Sequence, residues 1–303
     1  MIDFYCIGGM AVDLLLMVPR LPLKNEKLGV QYAGLMGGGL IANAACAAAR
    51  LGLKTSWSGL LGDDAYGQML TQEFAMYGVC TAEVVIQQKH STDFTVILLH
   101  PDGERTILLV PVLPSPPPLT DAVKHALQQS RLGYTLPYTQ DWFAEFAESV
   151  HTGGGRVAID LEGSTSESVI NTKAILNLTD VVFCSKDGLQ VFAGQKQIKD
   201  GAADILSLGP EMVVITLGKK GAELFTRSEQ YSTSAYSVPI VDTTGAGDCF
   251  HAAFLFGILA DWDFKCCLEF ASAAAALSVQ ALGARGGLPT YKEVKNFMSS
   301  HSL

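Results

Sequence analysis

Basic charge is scarce in this 303-residue chain, where 21 lysines and arginines face 30 aspartates and glutamates for a formal charge of -9 at pH 7. A phosphate backbone or an anionic membrane needs a basic face, so neither is expected as the main partner. Long apolar runs are missing too. The most apolar stretch, CFHAAFLFGILA at residues 249–260, is too short to span a bilayer. The 6 histidines are dispersed, and no H-E-x-x-H or Cys/His spacing suggests zinc. Serine-hydrolase chemistry has no G-x-S-x-G elbow to use, and no G-x-x-x-x-G-K-[ST] phosphate loop occurs. The 7 cysteines contain no C-x-x-C pair, and the adjacent Cys266 and Cys267 have a poor geometry for joining one another. Reduced thiols in a cytosolic protein are therefore expected. The opening MIDFYCIGGMAVD lacks a basic start followed by a signal-length apolar run, so no export signal is expected.

What is present favours a folded enzyme-sized chain. A hydrophobic fraction of 49% with 17% charged residues is ample for a sizeable core. FYCIG reads as a buried strand, IANAACAAARLG as an alanine-rich helix ending at Gly52, KTSWSGLLG as strand-like, and DAYGQMLTQEFAMYG as helical. In STDFTVILLHPDGERTILLVP two β-rich runs flank Asp102-Gly103, a dipeptide favoured in tight hairpins. After the proline-rich VLPSPPPLT come helical DAVKHALQQS and the buried-strand runs RVAIDLEG, DVVFCS and MVVITLG, each with helical sequence nearby. That alternation predicts an α/β fold with a mainly parallel sheet covered on both faces. Because it continues on both sides of the prolines, one domain over residues 1–303 is expected. Excursions near 14–33 and 91–112 would form a small β lid.

Three stretches carry chemistry. In VDTTGAGDCFHAAF, glycines precede an aspartate and an apolar helix. If the helix begins near Asp248, the backbone N–H groups of Gly245, Ala246, Gly247 and Asp248 make an anion site, and Asp248 stands ready to take a proton from a hydroxyl beside it. A capping aspartate after a glycine turn is the plainer reading of the same residues. In GGGLIANAACAAARLG, Gly37, Gly39 and Ala42 satisfy a loose dinucleotide-binding pattern and so admit a nicotinamide-dependent oxidoreductase. No convincing strand runs into Gly37, however, and the alternatives are a sugar-binding floor with Asn43 or simple close helix packing. In TLGKKGAEL, Gly218, Lys219, Lys220 and Gly221 form a turn that suits nucleotide phosphates or merely carries solvated lysines. Asp13 suits sugar hydroxyls, Arg105 a ligand contact from the hairpin, and His251 a satisfied core position.

Taken in order, GG-x-x-x-N at Gly38, Gly39 and Asn43, then GLLGDDAYG, TLGKKG and DTTGAGD-x-F resemble the ribokinase-like (PfkB) carbohydrate kinases, a likeness running from CIGGMAVD to GARGGLP. The resemblance implies a three-layer αβα sandwich with a small β lid that often serves as a dimer clasp. It also implies ATP- and Mg²⁺-dependent phosphorylation of a hydroxymethyl group. On this chain it makes Asp248 the catalytic base and the backbone of Gly245, Ala246 and Gly247 the anion hole. Asp13, Gly38, Gly39 and Asn43 become sugar-binding positions, with Arg105 reaching substrate or nucleotide. Ser185, Thr216, Gly218, Lys219, Lys220 and Gly221 belong to the ATP site, and Asp242 and Thr244 align with a loop that binds a monovalent cation such as K⁺ in some members. VVFCSKD and GERTI are similar to ketohexokinases, while GGGLIANAACAAARLG and GARGGLP are similar to sulfofructose kinases, so a ketose acceptor is expected. A nucleoside kinase and a non-catalytic sugar- or nucleotide-binding regulator are the alternatives. Two departures stand out: the family's N-x-x-E reads Ser185-Lys186-Asp187-Gly188, and Leu40 stands where a polar residue is usual.

Overall fold

The computed structural model describes residues 1–101, 105–161, 169–194 and 196–301. The Asp102-Gly103 turn and the last residues of the RVAIDLEG run lie outside them. The chain opens with β1 (Phe4–Ile7), β2 (Ala11–Met17) and β3 (Gln31–Gly38), which lead into α1 (Leu40–Leu51). Next come β4 (Thr55–Ser58), β5 (Leu60–Gly62), α2 (Ala65–Tyr77) and β6 (Val85–Gln87), then the antiparallel pair β7 (Phe94–Leu99) and β8 (Arg105–Val110). Strict alternation follows in α3 (Asp121–Gln128), β9 (Leu132–Thr135), α4 (Gln140–Thr152), β10 (Arg156–Asp160), α5 (Val169–Leu176) and β11 (Val181–Ser185). Two helices, α6 (Lys186–Ala193) and α7 (Ile198–Leu206), separate β11 from β12 (Met212–Thr216). A hairpin of β13 (Ala222–Thr226) and β14 (Gln230–Thr233) precedes α8 (Ala246–Leu259), α9 (Phe264–Ser278) and α10 (Tyr291–Ser300).

The main sheet has the order β14-β13-β12-β11-β10-β9-β1-β4. Its strands pair in parallel from β4 to β12, and only β13 runs against the rest, pairing antiparallel with both β12 and β14. Parallel strands need long crossovers, and helices supply them, so both faces are covered. The pleat then divides side chains between two cores. Phe4 and Cys6 enter one with residues of α1, α8 and α9; Tyr5 and Ile7 enter the other with residues of α3, α4, α5, α6 and α7. This is the expected three-layer αβα arrangement. The helix α8 is apolar on nearly every side because it lies between α1 and α9 over the sheet.

The smaller sheet has the order β3-β2-β7-β8. In its register Asp13 lies opposite Thr95, and Thr95 opposite Leu109, so these three share a face with Ile97 and Ile107. The other face carries Leu14, Val96 and Leu108 in one row. The absence of a strand before Gly37 was a misreading: β3 runs through Gly38. Its glycines and its exposed first half hide the alternation that marks a strand. Since β3 pairs antiparallel with β2 in the smaller sheet, Gly37 and Gly39 do not follow a parallel strand, and the dinucleotide-binding pattern loses its structural context.

The GLLGDDAYG stretch fastens this sheet to the body. Asp64 caps α2 by accepting from the Gly67 N–H at 2.9 Å, and it also accepts from the hydroxyl of buried Thr92 at 2.7 Å and from its N–H at 3.0 Å. Next to Thr92, Asp93 accepts the N–H groups of Val112 and Leu113 at 2.7 and 2.8 Å and closes the base of the β7–β8 pair. Among the described residues no helix is long and apolar enough to cross a membrane, and all seven cysteines are free.

Candidate active site

The helix α8 starts earlier than Asp248. Gly245 is its N-cap in the left-handed conformation, with φ 75° and ψ 2°, and Asp248 falls in the first turn. The Cys249 N–H bonds to Gly245 O at 2.9 Å and the Ala246 N–H to Thr243 O at 3.3 Å, so the N–H of Gly247 lies in the first turn, ahead of the regular ladder. The position of a side chain on Gly247 is open, with no heavy atom within 4 Å. Backbone N–H groups, a helix dipole and open space meet there.

Asp248 itself is 4% exposed, and its Oδ2 accepts from Asn43 Nδ2 at 2.8 Å. Asn43 stands one turn into α1, its N–H bonded to Gly39 O at 2.8 Å, and Gly39 is the N-cap of that helix. Residues 205 positions apart therefore share one buried polar spot. On its other side Asn43 Oδ1 accepts from Arg285 Nε at 2.9 Å. Gly37 and Gly38 are required by close approach: a side chain on Gly38 would strike the Asp13 carboxylate, and one on Gly37 would strike Glu73 and Arg285. Asp13, Gly38, Gly39, Asn43 and Asp248 thus form one floor.

Asp13 is 8% exposed, and burial pushes its carboxyl up from 3.8 to about 6, although Arg285 and a hydrogen bond from Thr95 pull it down. A raised carboxyl favours the fold most when protonated. Its contribution to stability is full below about 4 and is lost as the pH rises through about 6. At neutral pH the group is ionised at a cost, and a hydroxyl-bearing ligand would offset that cost by donating to it.

Ahead of α8, Asp242 Oδ1 accepts from the Thr244 N–H at 2.9 Å and from its hydroxyl at 2.7 Å, while Oδ2 accepts from the Gly283 N–H at 2.9 Å. These bonds pin the loop to the segment after α9. From β8, Arg105 Nη1 donates to Thr243 Oγ1 at 3.0 Å, so the smaller sheet touches the loop before α8.

The comparisons with known proteins decide the family. The family model for the pfkB family carbohydrate kinases matches residues 1–291. The chain belongs to the pfkB family of carbohydrate kinases. It is 28% identical to a ribokinase of Arabidopsis thaliana over 308 residues, covering 95% of this chain and 79% of that one. To an aminoimidazole riboside kinase of Salmonella typhimurium it is 31% identical, with 88% and 89% covered. The solved structure of Arabidopsis thaliana ribokinase complexed with ribose and ATP superposes with a TM-score of 0.87 at 26% identity, covering 98% of both chains. A putative ribokinase II of E. coli, in complex with ATP and Mg²⁺, shares the fold at a TM-score of 0.86 and 20% identity, covering 99% of this chain and 100% of that one. A carbohydrate kinase is a phosphotransferase, so the regulator alternative is set aside.

The residues assigned to the nucleotide lie along the carboxyl ends of two strands of this kinase. Ser185 closes β11 and is the register partner of Thr216, which closes β12. The Ser185 hydroxyl accepts the Gly188 N–H at 3.0 Å as the N-cap of α6. Gly218, Lys219 and Lys220 form one exposed 3₁₀ turn, and Gly221 ends it against the Thr233 carbonyl. Open sheets bind ligands beyond their carboxyl ends, and this turn lies there.

His251, one turn into α8 from Asp248, is a core residue. Its Nδ1 lies 2.9 Å from the Tyr134 hydroxyl and 3.8 Å from Asp160 Oδ2, and its ring stacks on Phe183 at 4.3 Å. Burial drives its pKa down to about 3, so it is neutral and unsuited to base work at pH 7.

Sequence reasoning missed Arg285, Glu73 and Thr95. Glu73 stands beside the buried stripe of Gly67, Leu70 and Phe74 on α2, and Arg285 is a lone cation among glycines in GARGGLP. Neither pattern announces a partner, because their meeting depends on how the segment after α9 packs on α2.

Proposed function

We propose that this kinase transfers the γ-phosphoryl group of ATP to a hydroxymethyl group of a ketose such as fructose or a derivative. The observation carrying the reading is the 2.8 Å bond between Asn43 and Asp248, which ties the carboxylate at the helix mouth to the Gly38–Gly39 floor. Asp13 and Asn43 would hold the sugar hydroxyls, and Asp248 would orient the attacking oxygen and take its proton. The N–H groups of Gly245, Ala246 and Gly247 would stabilise charge on the moving phosphoryl group. The transition state is loose, so positioning and charge neutralisation supply most of the acceleration.

Mg²⁺ fits a site that offers few carboxylates, because it keeps several waters and binds substrate phosphates. Among the described residues no group of three or more His, Cys, Asp or Glu side chains could hold a metal unaided. Asp187, exposed in the first turn of α6, is a carboxylate beside the nucleotide strands. When bound, the ion would neutralise developing charge on the phosphate oxygens. Asp242 and Thr244 are the candidates for a K⁺-responsive loop.

A nucleoside acceptor is the second reading. Ile107 and Leu109 share the face of Asp13 and are 46% and 73% exposed, apolar surface that a base attached to a ribose would cover. The likeness to an aminoimidazole riboside kinase adds to it. ATP consumption is measured with ketoses, aldoses and nucleosides, each in KCl and in tetramethylammonium chloride. A ketose turned over fastest supports the first reading, and a nucleoside preference replaces it with the second.

We also propose that two copies pair through the smaller sheet. On the face away from Asp13, Tyr32 is 60% and Leu108 50% exposed, beside half-buried Leu14, Leu16, Val96 and Leu98. Exposed apolar sheet surface of this kind marks an interaction site. Sedimentation equilibrium is expected to give a dimer, and Leu108→Glu a monomer. A wild-type monomer at micromolar concentration rules the clasp out.

A further inference from the structure

One cation beneath the acceptor floor has no place in the transfer chemistry. Arg285 is 3% exposed, and its guanidinium is held at every corner. Nε donates to Asn43 Oδ1, Nη1 to Glu73 Oε2 and Nη2 to Gly38 O, each at 2.9 Å. The guanidinium carbon lies 5.3 Å from the Phe74 ring centre, and the Arg285 carbonyl accepts the Tyr77 hydroxyl at 2.8 Å. A planar fork bonded on three sides has a single orientation, which a lysine cannot copy.

That fork decides which way Asn43 points. An asparagine amide can turn over with little change of shape, exchanging a donor for an acceptor. With the Arg285 Nε–H facing Oδ1, the amide is locked so that Nδ2 faces Asp248 Oδ2 at 2.8 Å. An N–H aimed at a carboxylate favours its ionised form, whereas a turned amide would set oxygen against oxygen. On the other flank, Nη2 holds the Gly38 carbonyl in the backbone against which the Asp13 carboxylate packs.

We propose that Arg285 is the positioning residue of the acceptor site: through Asn43 it orients the Asp248 carboxylate, and through Gly38 and its charge it holds Asp13 ready, without touching substrate. The proposal rests on reading Asp13 and Asp248 as acceptor-site groups. The charged and titratable groups around it are Asp13 from β2, Glu73 and Tyr77 from α2, Cys46 and Arg50 from α1, Asp242 from the loop before α8, and Asp248. Burial pushes the Cys46 thiol up to about 12 and raises the Tyr77 hydroxyl, so both are neutral at pH 7. Arg285 lowers the Asp13 carboxyl, and Glu73 and Asp242 raise it. Removing Arg285 and removing the Glu73 charge must therefore move Asp13 in opposite directions. Those shifts read the charge around Asp13, and the positioning role is read from Arg285→Lys, which keeps the charge and loses the fork.

The test is an NMR titration of ¹³Cγ-labelled aspartates in the full chain, with Asp13 and Asp248 assigned by Asp→Asn variants. It needs no substrate, so it is scored even if the acceptor-site reading fails on the activity panel. Wild-type Asp13 is expected to titrate at about 6. Arg285→Gln is expected to raise that midpoint by about one pH unit, and Glu73→Gln to lower it. Arg285→Lys, which keeps the charge and loses the fork, is expected to leave Asp13 near its wild-type midpoint. With the acceptor from the panel it should lower kcat about tenfold and change KM for ATP little. Should Arg285→Gln fail to fold, the kcat loss in Arg285→Lys at an unchanged Asp13 midpoint still supports the proposal. Wild-type Asp13 midpoints in both Arg285→Gln and Glu73→Gln overturn it, as does full kcat in Arg285→Lys.

Discussion

Asp248→Asn is expected to lower kcat by at least about a hundredfold while the melting temperature stays close to that of the wild type. The substitution keeps size and planarity, and its side-chain oxygen still accepts from Asn43 Nδ2, now 2.8 Å from Asp248 Oδ2. What disappears is the ability to receive a proton. A hundredfold loss is about 2.7 kcal/mol of transition-state stabilisation, larger than the about 1 kcal/mol net of one ordinary hydrogen bond. The size of the effect therefore separates a base from a mere sugar contact. Single-turnover transfer from labelled ATP checks it, because product release does not obscure that step. Turnover within about threefold of wild type would take Asp248 out of the base role, since threefold lies within what one lost contact can do.

The layered body was legible because its signals are local. Runs such as VVFCS and MVVIT are short, apolar and β-branched, the pattern of strands covered on both faces, and they became β11 and β12 in parallel register. Gly52, which stops α1, is visible in sequence as a glycine after the last apolar turn, and it adopts φ 109° with its N–H on the Ala48 and Ala49 carbonyls. The smaller sheet was harder to read. QYAGLMGG carries three glycines and leaves its first two residues exposed, so β3 has no clean alternation, and it is defined by its pairing with β2 rather than by its own composition.

Individual site groups were legible, but the bonds among them were not. GAGD before an apolar helix points to an anion site through the chemistry of any helix mouth. Asn43 at Asp248 is different: the contact joins α1 to α8, and only the packing of those helices over the sheet creates it. The same holds for Arg285, whose partners come from α1, α2 and β3. A buried cation leaves no periodic trace, since its cost is met by groups distant in the chain. Ser185 shows the converse. A polar residue at a strand end suggests ligand contact, yet its hydroxyl is already engaged with the Gly188 N–H at 3.0 Å.

Gly245→Ala and Gly247→Ala should behave as opposites in stability although they sit two positions apart. At Gly245, φ is 75°, a conformation that costs an alanine about 1–2 kcal/mol. The new methyl would also meet the Ala284 oxygen at 2.7 Å and its Cα at 2.9 Å. That backbone is poorly placed to retreat, because the Gly283 N–H is bonded to Asp242 and the Arg285 side chain is bonded on three sides. The strain passes into the first turn of α8 instead. A displacement of about 1 Å there costs about a hundredfold in rate, and each kcal/mol lost lowers the melting temperature of a chain this size by about 2 °C. Gly247 lies inside the helix, and its side-chain position meets no heavy atom within 4 Å, so alanine there leaves the melting temperature unchanged or slightly raised. Its methyl would nevertheless stand in the space assigned to the phosphoryl group, and kcat should fall at least about tenfold. Calorimetry with steady-state kinetics reads both variants. A Gly247→Ala enzyme of full activity would show that the moving phosphate does not pass the open side of this turn, whatever Gly245→Ala does to the fold.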